Sequence, residues 1–303
     1  MIKPYSNISN GLIYNFMDSE IRKKYEKAES ISDKARELAR KELKEGVSVL
    51  TLGENVENEI KKNGGKLAFP INISIDEIAA HYTPDINDVL KFKEGDMVKI
   101  DVGVQIDGYI WDAAFTKKIG NDKDIIIQAS EQALEAALKM IKSGVRVCEI
   151  SEVVEDTVEK FGLKSIENLC GHGLEQYVQH APPSIPNAHN NIQTKLQEGK
   201  AIAMEVFTTD GAGYVKEGSE TFIYRYLQDR PVRSQEARKI LVMARDSFEE
   251  MPFASRWVKS IATGIRLQLA FKELVDAGCL EAYPVLKEGG NGKVAQTETT
   301  VLL

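Results

Sequence analysis

Five residues of this 303-residue sequence stand out as candidate metal ligands: Asp101 in KIDVGVQ, Asp112 in YIWDAAFT, Glu205 in AIAMEVF, Glu298 in AQTETTVLL and His172 in NLCGHGLEQ. The four carboxylates sit among Val, Ile, Ala and aromatic residues. Acids on a buried face repel one another and lose their hydration, so something positive must sit between them. Four acids and one imidazole, with no thiolate, form a hard, oxygen-rich donor set for two divalent ions, and Mn, Fe(II), Co and Zn all fit it. Paired ions about 3.5–4 Å apart lower the pKa of a bridging water and polarise a carbonyl or phosphoryl oxygen, which is hydrolytic chemistry. Gly171 and Gly173 flank His172, as expected where backbone approaches an ion closely. The chain has four histidines. Of the other three, His81 and His180 recur at equivalent places of an internal duplication, whereas His189 lies in a polar run, PNAHNN, that reads as a surface loop.

The elements that must position these groups follow from local patterns. VKIDVGVQI and YIWDAAFT flank Asp107-Gly108, a strong two-residue hairpin signal. With that loop Ile106 faces Tyr109 and Asp101 faces Ala114. Asp112 then shares a sheet face with Asp101, diagonal to it at about 7–8 Å between backbones. Behind the strands, KEGVSVLTLGENVENEIKKNG (44–64) aligns without gaps with KSGVRVCEISEVVEDTVEKFG (142–162), with nine identical pairs in 21 positions. Each copy reads as a helix end, a Gly stop, a short connection and a second helix ended by Gly. Ser32 is expected to cap the helix preceding the first copy, and Asp124 opens the one preceding the second. EGDMVKID (94–101) matches EGKAIAME (198–205) at an offset of 104, and His81 matches His180 at 99. Each copy thus delivers one histidine and one strand-borne carboxylate, as in a pseudo-twofold fold with a site on its axis.

The second copy carries extra chain. Asp101 to Asp112 is 11 residues and Glu205 to Glu298 is 93, a difference of 82. The excess includes the helical stretches SQEARKILVMARDSFEE and ATGIRLQLAFKELVDAG, with Pro231 and Pro252 as breakers. The expected organisation is a catalytic domain of residues 1–225 and 283–303 and an inserted, mainly helical, winged-helix-like subdomain at 226–282, with residues 1–10 a short leader. Lys and Arg in the insertion read as a solvated helical surface, with a face toward ribosomal RNA as the alternative. At 43% hydrophobic and 28% charged the composition is that of a globular protein, and a net charge of −7 argues against a broad polyanion-binding footprint. No apolar run approaches the ~20 residues of a membrane span. Three widely spaced cysteines fit a reducing compartment and form no zinc motif.

In chain order, AAHYTP, KIDVGVQIDGYIWDAAFT, NLCGHGLEQYVQH, AIAMEVF and AQTETTVLL resemble methionine aminopeptidase of type 2 in its compact archaeal form, over a stretch from about Ser30 to the C-terminus. The 82-residue excess resembles the helical insertion that separates type 2 from type 1. The resemblance implies an α+β pita-bread (creatinase/aminopeptidase) fold, with pseudo-twofold halves of helices on antiparallel sheet. It also implies dinuclear-metal removal of initiator methionine from proteins or peptides whose second residue is small. By the same resemblance Asp101 and Glu298 touch both ions, Asp112 chelates one, and His172 and Glu205 complete the second ion's shell, Glu205 acting also as general base. His81 and His180 would hydrogen-bond the scissile peptide and its tetrahedral intermediate. Phe69, Phe207 and Tyr283 match methionine-pocket positions, and Gln179 departs from the aliphatic residue more often found there. The implied partners are peptide and nascent-chain N-termini with a transient ribosome contact, in a cytoplasmic monomer without membrane or DNA partners. Two alternatives stand beside this reading. An Xaa-Pro peptidase of the same fold is disfavoured by AAHYTP and the compact architecture, and an inactive ribosome- or RNA-binding module by the intact ligand positions.

Overall fold

A computed structural model of the chain describes residues 17–121, 123–248 and 250–303. The expected leader at residues 1–10 lies outside them. The first half runs through α1 (Ser19–Glu42), α2 (Val49–Lys62), the short strands β1 (Lys66–Leu67), β2 (Asn72–Ile75) and β3 (Ile78–Ala80), and the hairpin β4 (Met97–Ile106) and β5 (Tyr109–Lys118). The second half repeats the order with α3 (Ile125–Met140), α4 (Val147–Glu159), β6 (Lys164–Ser165), β7 (Cys170–Glu175), β8 (Val178–Pro186) and β9 (Ala201–Thr209). A long excursion follows: β10 (Val215–Tyr226), α5 (Gln235–Ser247), β11 (Phe253–Ala254), a 3₁₀ turn (Ser255–Val258), α6 (Gly264–Asp276) and β12 (Leu280–Glu288). Strand β13 (Val294–Leu302) closes the chain.

The helices form where an apolar stripe recurs every three to four residues. In α1 the stripe is Tyr25, Ala28, Ile31, Ala35 and Ala39, and it begins well before Ser32. The start expected at Ser32 is therefore corrected: Ser32 lies buried in mid-helix, and Asp18 is the cap, accepting from the amides of Glu20 at 2.7 Å and Ile21 at 3.3 Å. Asp124 caps α3 as expected, accepting from Ile126 N at 2.9 Å. The repeat shows in backbone geometry too. The glycines that end α2 and α4, Gly64 and Gly162, adopt φ of 82° and 70°, a region in which a side chain would be strained.

A nine-stranded sheet is ordered β1-β4-β5-β13-β9-β7-β8, with β2 also on β4 and β6 also on β9. Its centre is the β5–β13 seam, so each half supplies one flank, and α1 and α2 pack over the first flank as α3 and α4 do over the second. The Asp107-Gly108 turn has positive φ at both residues, 51° and 83°, the backbone twist that suits a tight hairpin. It sets Ile106 opposite Tyr109 and Asp101 opposite Ala114, the register expected from sequence.

The excursion contains more than two helices. Strands β10 and β12 pair along their length, and β12 also pairs with β3 of the first half, in a four-stranded sheet ordered β11-β10-β12-β3. Residues of α5, β11, the 3₁₀ turn and α6 bury their own apolar cluster against Tyr224 and Leu280, with Tyr224 stacked on Phe271 at 4.0 Å. Among the described residues no helix is long and apolar enough to cross a membrane.

Candidate metal centre

The acids are brought together by register. Asp101 on β4 lies opposite Ala114 on β5, Ala114 opposite Glu298 on β13, and Glu298 opposite Glu205 on β9. Four strands thus place three carboxylates in one transverse row, with neighbouring strands about 4.8 Å apart. Two residues further along, on the same sheet face, a second row holds Asp112 on β5, Thr300 on β13, Ala203 on β9 and His172 on β7. The first half has Ser74 at the place His172 holds in the second: Ser74 is opposite Lys99, two before Asp101, and His172 is opposite Ala203, two before Glu205. The duplication therefore yields four acids and a single imidazole.

Side-chain oxygens and the His172 ring form two overlapping groups, Asp112–His172–Glu298 and Asp101–Glu205–Glu298, each with donor atoms within 4.8 Å of one another. Glu298 belongs to both. Nε2 of His172 is 3.9 Å from Asp112 Oδ2 and 4.0 Å from Glu298 Oε1. Its Nδ1–H donates to the Gly173 carbonyl at 3.3 Å, which leaves Nε2 as the ligand lone pair. Burial pushes His172 down to about 4, so the ring is neutral at pH 7, the form that binds metal.

Three buried oxygens here, Asp101 Oδ1, Asp112 Oδ1 and Glu298 Oε1, have no hydrogen-bond partner among the described residues. Burial pushes the Asp101 carboxyl up to about 7 against the pull of the Gln296 amide. Burial, with the neighbouring acids adding to it, raises Asp112, Glu205 and Glu298 well above the carboxylate range. Buried acids without a counter-charge are costly, and a bound cation would supply what the orphaned oxygens lack.

Above the rows lies a cavity of about 360 Å³, walled by Ala80, Leu169, Pro182, Phe207 and Leu286 and rimmed by His81, Gln179 and His180. His81 follows β3 with φ of 64°, and its Nδ1–H donates to the Pro284 carbonyl at 3.0 Å. Its Nε2 is thereby left an acceptor. Burial lowers the His81 imidazole below its ordinary value. His180, on β8, stands edge-on to His172 with ring centroids 4.6 Å apart. Enclosure, then His172, His81 and Arg225, push it down as well. Of the expected pocket residues, Phe207 and Gln179 line the cavity. Phe69 and Tyr283 do not. Phe69 is 3% exposed in the core, pressed on Gly103 where no side chain would fit, and Tyr283 packs edge-on behind His81 at 5.6 Å.

Residues 23–269 match the model of metallopeptidase family M24. Over 287 residues the chain is 44% identical to the methionine aminopeptidase of Archaeoglobus fulgidus, which covers 95% of this chain and 97% of that one. The chain belongs to metallopeptidase family M24. The methionine aminopeptidase of Methanocaldococcus jannaschii is 42% identical with the same coverage of both chains. The solved methionine aminopeptidase of Thermotoga maritima, 22% identical, superposes with a TM-score of 0.68 over 96% of each chain. The pita-bread fold that the resemblance implied is therefore the fold of this chain.

Sequence reasoning missed two amides in this M24 site. Gln296, two before Glu298 on the same face, donates through Nε2 to Glu205 Oε1 at 2.7 Å and lies 3.4 Å from Asp101 Oδ2 and Glu298 Oε2. Asn187 accepts from Phe207 N at 2.6 Å and donates to the Glu205 carbonyl at 2.9 Å, holding β9 at the ligand. The β5–β13 seam is stitched by hydroxyls as well. Thr300 Oγ1 accepts from Asp112 N at 2.8 Å, and Thr116 Oγ1 accepts from Gln296 N at 2.8 Å. The period-two alternation of QTETT around Glu298 is the signal that could have found Gln296 and Thr300.

The raised acids make the metal-free protein pH-sensitive. A carboxyl whose folded pKa is above its unfolded value favours folding at low pH, and that contribution is lost as pH rises through the folded pKa. For Asp101 the window runs from 3.8 to about 7. Urea unfolding in chelator is expected to show stability falling between pH 5 and 7, with the fall abolished by added Mn(II). Stability that is flat or rises with pH in chelator contradicts it.

Proposed function

We propose that this M24 member removes the N-terminal methionine from peptides and nascent proteins whose second residue is small. The observation that carries the reading is the carboxylate row Asp101–Glu298–Glu205 beside Leu169, Phe207 and Leu286: a hydrolytic centre on the floor of a cavity of about 360 Å³ with apolar residues on one wall. Nearly full-length kinship to two methionine aminopeptidases supports it.

Asp101, Asp112, His172, Glu205 and Glu298 are the residues that would hold two divalent ions, Glu298 being common to both groups, and Mn, Fe(II), Co and Zn all suit the donor set. When bound, such ions supply Lewis acidity toward a peptide carbonyl and acidify water. Glu205 is the general base. Burial and the neighbouring Asp101 make this carboxylate more basic than an ordinary one, and the Gln296 amide fixes its direction. His81, an acceptor at Nε2, receives an N–H of the scissile peptide, and His180 hydrogen-bonds the oxygen that gains charge in the transition state. Phe207 packs on the methionine side chain, and Gln179 sets the polarity of the rim. Residues 1–225 and 283–303 form the catalytic unit and 226–282 the inserted subdomain. The protein acts in the cytoplasm as a monomer, with a transient ribosome contact when the substrate is a nascent chain.

Met-Gly-Met and an Xaa-Pro peptide, assayed side by side with added Mn or Co, test the substrate assignment. Free methionine from the first is the expected product. Preferential cleavage of the Xaa-Pro peptide overturns the assignment.

A further inference from the structure

Besides the pairing of β12 with β3 and the burial of Met251 in the first-half core, the stretch between β10 and β12 carries a cluster of hydrogen bonds to the first half at one place. That place is the 3₁₀ turn, where Arg256 is 4% exposed. Its Nη2 is paired with Glu57 Oε1 of α2, equally buried, whose other oxygen accepts from Trp257 Nε1 at 3.0 Å. Arg256 Nη1 donates to Thr83 Oγ1 at 2.6 Å and to the Pro84 carbonyl at 3.0 Å. The neighbouring Ser255 hydroxyl reaches Asp85 Oδ1 at 3.4 Å. Residues 83–85 are thus held one after another, and all three follow closely on His81.

This stretch has little room. Thr83 is fully buried, and a Cβ added to Gly53 of α2 would lie 3.2 Å from Pro84 Cγ. On its other side His81 is held by β12, through the Pro284 carbonyl and the Tyr283 ring. His81 itself sits at φ 64°, a conformation that persists in a non-glycine residue only when its surroundings impose it. A buried ion pair is weak evidence of stabilisation for its own sake, but its fixed fork of donors gives directional hold.

We infer that Arg256, oriented by Glu57, is a positioning residue: the insertion clamps Thr83–Pro84 so that the His81 ring is presented to the cavity in one orientation. The inference rests on the role of His81 given under Proposed function, yet it can be tested apart from that role. Two readouts are used on the full chain. The first is the imidazole NMR spectrum, tractable with four histidines, in which the His81 signals are identified by their loss in His81→Ala. The second is kcat and KM on Met-Gly-Met with the metal-loaded enzyme.

In Arg256→Met the His81 signals are expected to shift or broaden while those of His189 stay in place. The kcat should fall about tenfold or more with little change in KM, since displacement of about 1 Å at a reacting group costs up to 10²-fold. Arg256→Lys, which keeps the charge beside Glu57, should recover part of the loss. Should Arg256→Met not fold, Thr83→Val carries the test, because it removes one acceptor of the clamp and keeps the volume. His81 signals unmoved in the folded variant, with kcat within twofold of the parent, overturn the inference. Failure of the parent enzyme to cleave Met-Gly-Met would instead strike the functional reading, and the NMR result would still decide the clamp.

Discussion

Glu205→Gln is expected to lower kcat/KM on a methionyl peptide by about 10²–10⁴-fold, the usual worth of a positioned general base. The substitution keeps the side-chain volume and an oxygen that can face Gln296, so β9 and its pairing with β13 should be undisturbed. It removes the charge from one of two overlapping donor groups. Affinity for one of two ions should therefore fall while the other site stays filled. Raising Mn(II) should restore occupancy but not turnover, which separates the loss of the base from the loss of a ligand. Near-normal turnover at saturating metal would place the base elsewhere.

His81→Ala should have a comparable effect on rate for a different reason. His81 belongs to neither donor group, and its ring meets Pro284 and Tyr283 and faces the cavity. Loss of one preorganised hydrogen bond to the reacting peptide costs about 10²–10³-fold in kcat. Metal stoichiometry and thermal stability in the loaded state should be unchanged. An enzyme that turns over normally without this imidazole would remove its assigned part in the reaction.

The reach of sequence reasoning followed the range of the interactions involved. The β4–β5 register was legible because Asp107-Gly108 fixes it locally, and Glu298 was legible because duplication demanded a partner for Asp112. Ser32 was misread as a cap because a serine preceding an apolar stripe resembles a start, while the same stripe continues on its N-terminal side. Strands β10 and β12 escaped notice because their partners are each other, some sixty residues apart, and their solvent-facing residues blur the alternation. Gln296 shares the period-two alternation of Glu298 and could have been read from it, whereas Asn187 and the clamp of Glu57 by Arg256 are polar contacts between distant segments, with no local pattern to announce them. Phe69 lies between β1 and β2 and Tyr283 within β12, and which face an aromatic takes there depends on neighbours such as Gly103 that only the fold supplies.

Every step above depends on two halves jointly holding a pair of cations, and calorimetric titration of chelator-treated protein with Mn(II) tests this most directly. Two ions per chain are expected. Glu298→Gln, at the one residue common to both donor groups, should weaken both. A single ion per chain, or a binding isotherm indifferent to Glu298→Gln, would contradict the account.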